Sequence, residues 1–332
     1  MEGHIPVMLP EVLGALQPAD GEIYIDGTYG GGGYARAILA AADCRLIGID
    51  RDETAVARAR HEADANPNLM PIAGRFGELD ALARELGAEG VDGVVLDLGV
   101  SSFQLDEAER GFSFMRDGPL DMRMGQHGPN AADIVNRADE QDLADIIFRL
   151  GEERRSRRVA RAIGQRRKER AFETTLDLAG VVEDALGGRR GAKAHPATKT
   201  FQAIRMFVND ELGELARALV AAERVLKVGG RLVIVTFHSL EDRMVKTFLR
   251  ARSGLVSGGS RHIPHAASEQ PDPSFKLLSR KAVSVSGAEA SINRRARSSR
   301  LRAASRTSAP AWAEMIASEY ELPSLDKLGA RA

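Results

Sequence analysis

The sequence predicts an α/β fold in which a doubly wound parallel sheet is interrupted by an inserted all-helical domain. Three observations carry that prediction. Within the first hundred residues, four short apolar runs alternate with helix-compatible segments, as in a sheet whose parallel strands are linked by crossover helices. The first run, Ile23-Tyr-Ile-Asp26, breaks into five glycines within Gly27–Gly33. That strand, turn and helix order brings bare backbone and a helix N-terminus to a ligand. Residues 131–186 then read as helices alone, and the buried-strand pattern resumes only at Arg231-Leu-Val-Ile-Val-Thr-Phe237.

In chain order, residues 4–17 give an entry segment and an amphipathic helix, 22–28 the first strand, and alanine-rich 34–42 a helix. Arg45–Asp50 is the second strand, 53–63 a helix, Leu69–Ala73 the third strand and 78–86 a helix. Val91–Asp97 is apolar on both faces, as a buried parallel strand is. Residues 101–130 show no period but many Gly, Pro and Asp, and a loop of that length in a compact domain usually has a function. Helices are expected at 131–138, 139–150, 152–170 and 174–186, and one long helix over 199–226. After the fifth strand, Ser239 is the expected N-cap of a helix, with Asp242 completing a capping box. Residues 253–275 read as a loop, and Lys281–Ser286 and Ser298–Ala304 as closing strands. The domain borders follow: a core of 1–105 and 200–307, a helical insertion of 106–199, and a tail of 308–332 whose single tryptophan, Trp312, lies in a weak helical pattern.

Composition narrows the class. The chain has 332 residues, 43% hydrophobic and 28% charged, with no run long enough to span a membrane and no signal-like N-terminus, so a cytoplasmic protein is expected. One cysteine, Cys44, excludes an internal disulfide and a cysteine-based zinc site, and no metal is expected. The net charge of −1 hides three basic stretches. Residues 152–170 carry nine Lys/Arg against three Glu, 189–205 five basic residues and no acid, and 293–306 six arginines and no acid. Arginine-rich, acid-poor stretches are either solvated helix faces or contacts to nucleic-acid phosphates.

The glycine loop indicates a nucleoside-containing ligand without choosing it. Gly30–Ala35 fits the dinucleotide fingerprint G-x-G-x-x-A, and Asp50, 18 residues beyond Gly32, suits a ribose diol or a helix N-cap. No Gly-Lys-Ser/Thr follows the glycines, which argues against a phosphate-binding loop for ATP. Asp26, Asp50 and Asp97 end three strands. Three acids at one sheet edge suit a cationic ligand better than a pyrophosphate, and S-adenosylmethionine has the required sulfonium.

Longer motifs are more specific. Asp26–Tyr34, Asp97–Ser102, Gln104–Asp106, Glu109–Arg123, Gly151–Arg154, His195–Arg205 and Phe237–Arg243 resemble, in collinear order, the bacterial 16S ribosomal RNA (cytosine-N4)-methyltransferases of the MraW/RsmH type. The resemblance runs from His4 to about Arg302. It implies a class I, Rossmann-like S-adenosylmethionine-dependent methyltransferase with a substrate-recognising helical insertion. Its substrate would be a cytidine in the decoding region of 16S rRNA within the small subunit, with no membrane partner; a homodimer is left open. Carried over by position, cofactor contacts fall on Gly32, Gly33, Tyr34, Asp50, Phe76, Asp97 and Gln104. Asp50 would take the ribose, Phe76 the adenine face unless it is a core aromatic, and Asp97 the methionine or the acceptor amine. Two departures stand out: Tyr34 replaces a histidine common in the family, and Arg294 follows Asn293 where the family usually has proline.

The exocyclic amine of cytosine is a poor nucleophile, so a hydrogen-bond acceptor is expected to polarise N4–H while the site holds it near the methyl carbon. Asp97, Asn209 and His238 are the candidates, His238 with the plainer alternative of starting a helix. Two other classes share parts of the pattern: an NAD-dependent oxidoreductase, through the glycine loop and Asp50, and a non-catalytic ribosome-assembly RNA-binding protein.

Overall fold

The structure is a computed structural model that describes residues 6–189, 191, 194–255 and 271–313. The elements begin with α1 (Leu9–Leu16), β1 (Ile23–Asp26), α2 (Gly33–Ala41), β2 (Arg45–Asp50), α3 (Glu53–Ala63), β3 (Leu69–Ala73), α4 (Leu79–Glu85) and β4 (Val91–Asp97). A helical run follows: α5 (Ser102–Asp106), α6 (Ala131–Arg137), α7 (Glu140–Gly151), α8 (Ser156–Arg166), α9 (Thr175–Leu186) and α10 (Thr198–Val208). The chain closes with α11 (Glu211–Val225), β5 (Leu226–Thr236), α12 (Ser239–Arg252), β6 (Phe275–Leu277), β7 (Val283–Ser284), α13 (Gly287–Ile292) and β8 (Arg300–Arg306).

Two compact units result. One comprises residues up to Gly99 together with those from Glu214, and the other is Val100–Gly213. The helical unit is thus wider at both ends than the 106–199 read from composition. Its upper border moves because α10 packs on α7, so its apolar face belongs with the helices.

The first unit is an eight-stranded sheet in the order β3-β2-β1-β4-β5-β8-β6, with β7 also pairing β8. β1 to β5 are parallel, and β8 runs antiparallel to its neighbours. Strand side chains such as Ile25, Val94, Leu96, Leu232 and Ile234 are fully buried, as expected of strands covered on both faces. Each such burial is worth about 1.5–3 kcal/mol. Because the strands are parallel and in register, Asp26, Asp50 and Asp97 all end at the same edge.

Several elements differ from expectation. The helix anticipated over 199–226 breaks at Asn209-Asp210, where Asp210 takes a φ of 49°. Asp tolerates this left-handed region better than most residues. Its carboxylate folds over the first turn of α11, where a side chain on Gly213 would lie 2.3 Å from it. The N-cap of α12 is His238, not Ser239: its Nδ1 accepts from the Glu241 N–H at 3.4 Å, and Glu241 accepts from the His238 N–H at 3.2 Å. Asp242, expected to complete the box, instead binds Arg300 at 3.1 Å and Arg302 at 2.7 Å. β6 and α13 are additional, and the closing strands settle at Val283–Ser284 and Arg300–Arg306. The middle of the expected 253–275 loop and residues 314–332 of the tail lie outside the described residues.

Trp312 is not helical, and it has a clear place. Its indole N–H donates to the Asp272 carbonyl at 2.9 Å, and its ring lies 4.3 Å from the guanidinium carbon of Arg252. Phe248 covers the same guanidinium at 5.0 Å. Arg252 is 1% exposed, and its Nε is 2.9 Å from Glu223 Oε2. The other carboxylate oxygen of Glu223 accepts from Ser274 Oγ at 2.5 Å and from the Trp312 N–H at 3.2 Å. This buried cluster fastens both ends of the final described segment to α11 and α12.

Candidate active site

The glycine loop is held from all sides. The Gly27 N–H donates to the Val95 carbonyl at 3.0 Å, and the Tyr29 N–H to Ile49 at 3.0 Å. Arg36 donates to the Gly31 carbonyl at 2.9 Å and Arg58 to Gly30 at 3.3 Å. A side chain on Gly27 would strike Leu96 at 2.5 Å, so the loop can pass over β4 only without one. Gly32 caps α2 at a φ of 72°, which favours glycine. Gly33 is explained by packing, since a Cβ there would lie 2.3 Å from Pro6.

Tyr34 turns its ring into the core beside α1 and donates its hydroxyl to the Val7 carbonyl. Its hydroxyl is thus engaged within the protein, with Asp97 and Asp26 among the charges that act on it. Asp50 spans the loop and the next helix, accepting from Gly30 N–H at 2.7 Å and from Asp52 N–H at 2.8 Å. The N-cap of α3 is Asp52, not Asp50, through the Thr54 N–H at 3.0 Å. Each Asp50 oxygen keeps a further lone pair for a hydroxyl donor. Phe76 opens a short 3-10 turn after β3 and is half-buried, with its Cβ 3.4 Å from the position a Gly27 Cβ would take.

The charges beneath the loop set its chemistry. Asp26 is fully buried, and burial pushes its carboxyl up to about 7; the Thr28 N–H opposes the shift and the Asp50 charge adds to it. Burial also holds Asp97 well above the usual carboxylate range, with Asp26 and Glu241 adding to it. The Asp97 N–H donates to Thr28 Oγ1 at 2.7 Å, which ties the end of β4 to the loop. Asp26 Oδ2 and Asp97 Oδ1 are out of solvent and, among the described residues, have no hydrogen-bond partner. Two unpartnered buried carboxylate oxygens fit a cationic ligand and repel a pyrophosphate. Thr28 and Glu241 are parts of this arrangement that the sequence reading did not single out. The Asp-Gly-Thr that ends β1 was the available signal for the first.

His238 is 13% exposed at its side chain, with Nδ1 engaged in the cap and Nε2 3.0 Å from Glu241 Oε1. Its role in the fold is to start α12. Asn209 and Gln104 belong to the helical unit. Asn209 donates to the Met122 carbonyl at 2.7 Å and the Arg205 carbonyl at 2.9 Å, and accepts from the Met124 N–H at 2.8 Å. Its amide is committed to pinning the Met122–Met124 backbone, where Met122 takes a φ of 61°. Gln104 closes a capping box with Ser101 at the start of α5. Side chains thus order the long aperiodic stretch: Arg123 binds Asp121 through two nitrogens, at 2.9 and 2.7 Å, and Arg110 reaches the Arg123 and Met124 carbonyls.

The basic stretches separate on inspection. Arg166 forms a bidentate pair with Asp177, and Arg167 caps the carbonyls of Val135 and Ala138. Arg205 is paired through two bonds with Glu211, and Lys199 donates to the Glu152 carbonyl. Arg300 and Arg302 are neutralised by Asp242, and Arg306 is buried against carbonyls of Glu223 and Ser274. Arg190 and Lys193 lie outside the described residues. Around α8, Arg154, Arg157, Arg158 and Lys168 remain exposed and face solvent. Acids distant in sequence thus neutralise much of the three stretches, while this face of α8 and, in the third stretch, Arg297 stay exposed.

No helix among the described residues is long and apolar enough to cross a membrane. Related chains align over nearly their whole length. A ribosomal RNA small subunit methyltransferase H of Hyphomonas neptunium is 64% identical over 326 residues, covering 98% of this chain and 95% of its own. The proteins of that name from Maricaulis maris and Caulobacter vibrioides are 56% and 57% identical, covering 98% and 93% of this chain and 98% and 97% of theirs. The model of the MraW methylase family matches residues 1–307. With strand ends, glycine loop and buried acids arranged as a methyl-donor cleft requires, the chain belongs to the MraW methylase family.

Proposed function

We propose that this S-adenosylmethionine-dependent rRNA methyltransferase modifies the N4 amine of one cytidine in the decoding region of 16S rRNA, acting on small-subunit particles in the cytoplasm. The observation that carries the reading is the pair of unpartnered buried oxygens, Asp26 Oδ2 and Asp97 Oδ1, at adjacent strand ends. S-adenosylmethionine, when bound, supplies an electrophilic methyl group on a cationic sulfur. The backbone of Gly32–Tyr34 would cradle it, Asp50 would accept from its ribose, and Phe76 would cover its adenine. Asp97 would accept from the N4–H of a cytosine turned out of its stack, raising the electron density on the attacking nitrogen. His238 and Asn209 then act as positioning residues. The helical unit would meet RNA phosphates with the exposed face of Arg154, Arg157, Arg158 and Lys168. No residue in this reading requires a second copy of the chain.

Methyl incorporation from labelled cofactor into small subunits, followed by nucleotide mapping, tests it. One N4-methylated cytidine in the decoding region is the expected product; no incorporation, or a product at a different atom, overturns the reading.

The buried acids make cofactor binding pH-dependent. Asp26 has a folded-state pKa of about 7, raised above the ordinary value of 3.8. Its contribution to the stability of the free protein is therefore present at low pH and is lost as pH rises through about 7. A bound cation favours the ionised carboxylate, so binding releases a proton and tightens between about pH 6 and about pH 8. Calorimetric titrations in buffers of different ionisation enthalpy should show that release, and Asp26→Asn should reduce it to the share carried by Asp97. A wild-type affinity that stays flat over this range would rule out Asp26 as the responsive group.

A further inference from the structure

The strand-end cleft is not the only place where the sheet unit gathers charge. A cavity of 320 Å³ opens between α12, β6 and β8, and none of the residues assigned above to the cofactor lines it. Lys246 and Arg250 stand on one wall and Arg280 on another, all three exposed. No acid among the described residues lines the cavity. Among the described residues, Lys246 and Arg280 have no carboxylate partner, and Arg250 makes only a bond to the Leu255 carbonyl at 3.3 Å. Leu249, Leu277 and Ala303 supply apolar surface to the same cavity. Arg302 completes a wall, with its guanidinium already held by Asp242.

We propose that this cavity is a second foothold for the RNA, taking one nucleotide with its phosphate on the cations and its base or ribose on the leucines. The inference rests on the RNA-methyltransferase reading above. Three unneutralised cations around one concavity repel each other unless an anion joins them, and arginine matches phosphate geometry through paired N–H donors. The volume is at the lower end of the range of about 300–1,000 Å³ for ligand pockets, which suits one nucleotide and not a duplex. An ion-only site would have no use for the apolar surface. None of the three cations belongs to the arginine-rich stretches visible in the sequence; the fold brings them together from α12 and the turn after β6.

The test compares the full-length protein with the double variant Lys246→Glu/Arg280→Glu, both side chains being exposed. Binding of a labelled single-stranded RNA oligonucleotide is measured across salt concentrations, alongside cofactor affinity and the KM for small subunits. The variant is expected to bind the oligonucleotide about 10-fold more weakly at low salt, with a salt slope reduced by about two. KM should rise in parallel while kcat and cofactor affinity stay unchanged. Unaltered RNA affinity and slope would overturn the proposal, whatever the methylation result. If the wild type failed to methylate subunits, the enzymatic reading would fall while oligonucleotide binding still reported on the cavity. Amine-reactive footprinting adds a variant-free measurement: the oligonucleotide should protect Lys246, and cytidine monophosphate should protect it at lower concentration than inorganic phosphate. Absence of protection, or equal protection by phosphate, overturns the assignment to a nucleotide.

Discussion

Replacing Asp97 with asparagine is expected to slow single-turnover methyl transfer by about 10²–10⁴-fold at saturating cofactor, the range for loss of a positioned proton acceptor. The substitution keeps the shape of the side chain and leaves the Asp97 N–H bond to Thr28 in place. It removes the charge and replaces one of the two carboxylate oxygens by an amide NH2 that donates and cannot accept. Its effect on stability should go the other way. Burial holds this carboxyl well above the usual range, so its ionised form opposes folding near neutral pH. The asparagine variant should therefore melt no lower than the wild type, as expected where a functional group is kept at the expense of stability. A single-turnover rate within threefold of wild type would remove Asp97 from the chemical step.

Glu223→Ala should produce the largest loss of stability, about 3–5 kcal/mol, because it leaves a buried guanidinium without its counter-ion. Arg252 would remain enclosed between Phe248 and Trp312, and Ser274 and the Trp312 N–H would lose their acceptor. Breaking one partner of such a pair costs more than removing both. The double variant Glu223→Leu/Arg252→Met should therefore recover most of the loss. Urea unfolding followed by the fluorescence of Trp312, the only tryptophan, measures both. A loss below about 1 kcal/mol in the single variant would mean that water or rearrangement replaces the missing carboxylate.

Much of the sheet was legible in advance because it depends on short-range signals. β2, β3 and β4 have the bounds that their apolar runs indicate, and α3 has those of its helical pattern. The glycine loop and its neighbouring acids were equally visible, since strand ends and turns are marked by residue type. The rest depends on contacts between distant parts of the chain. The plainer alternative for His238, that it starts a helix, is the one the structure has; the Ser239 and Asp242 capping signature one position later fails because Asp242 is drawn away by Arg300 and Arg302. The break at Asp210 interrupts a helix whose apolar spacing continues across it. Tyr34 occupies a ligand-facing position in the motif, yet its ring is taken by the core. The arginine-rich stretches overstated the available charge for the same reason: Asp177, Glu211 and Asp242 neutralise them from elsewhere in the chain.

The strand order also bears on how such a chain is assembled. β4 and β5 are adjacent, pairing Asp97 with Val235, although the whole helical unit lies between them in sequence. If the helical unit folds first, it draws its own ends together and replaces a long loop closure by a short one, at a saving that grows by about 0.6 kcal/mol for each doubling of loop length. β8, the last in sequence of the described strands, sits inside the sheet between β5 and β6. Until Arg300–Arg306 is synthesised, β5 is an open strand edge, and an open edge is a template for pairing with other chains. The nascent chain therefore carries an exposed β5 edge for as long as Arg300–Arg306 has not been made.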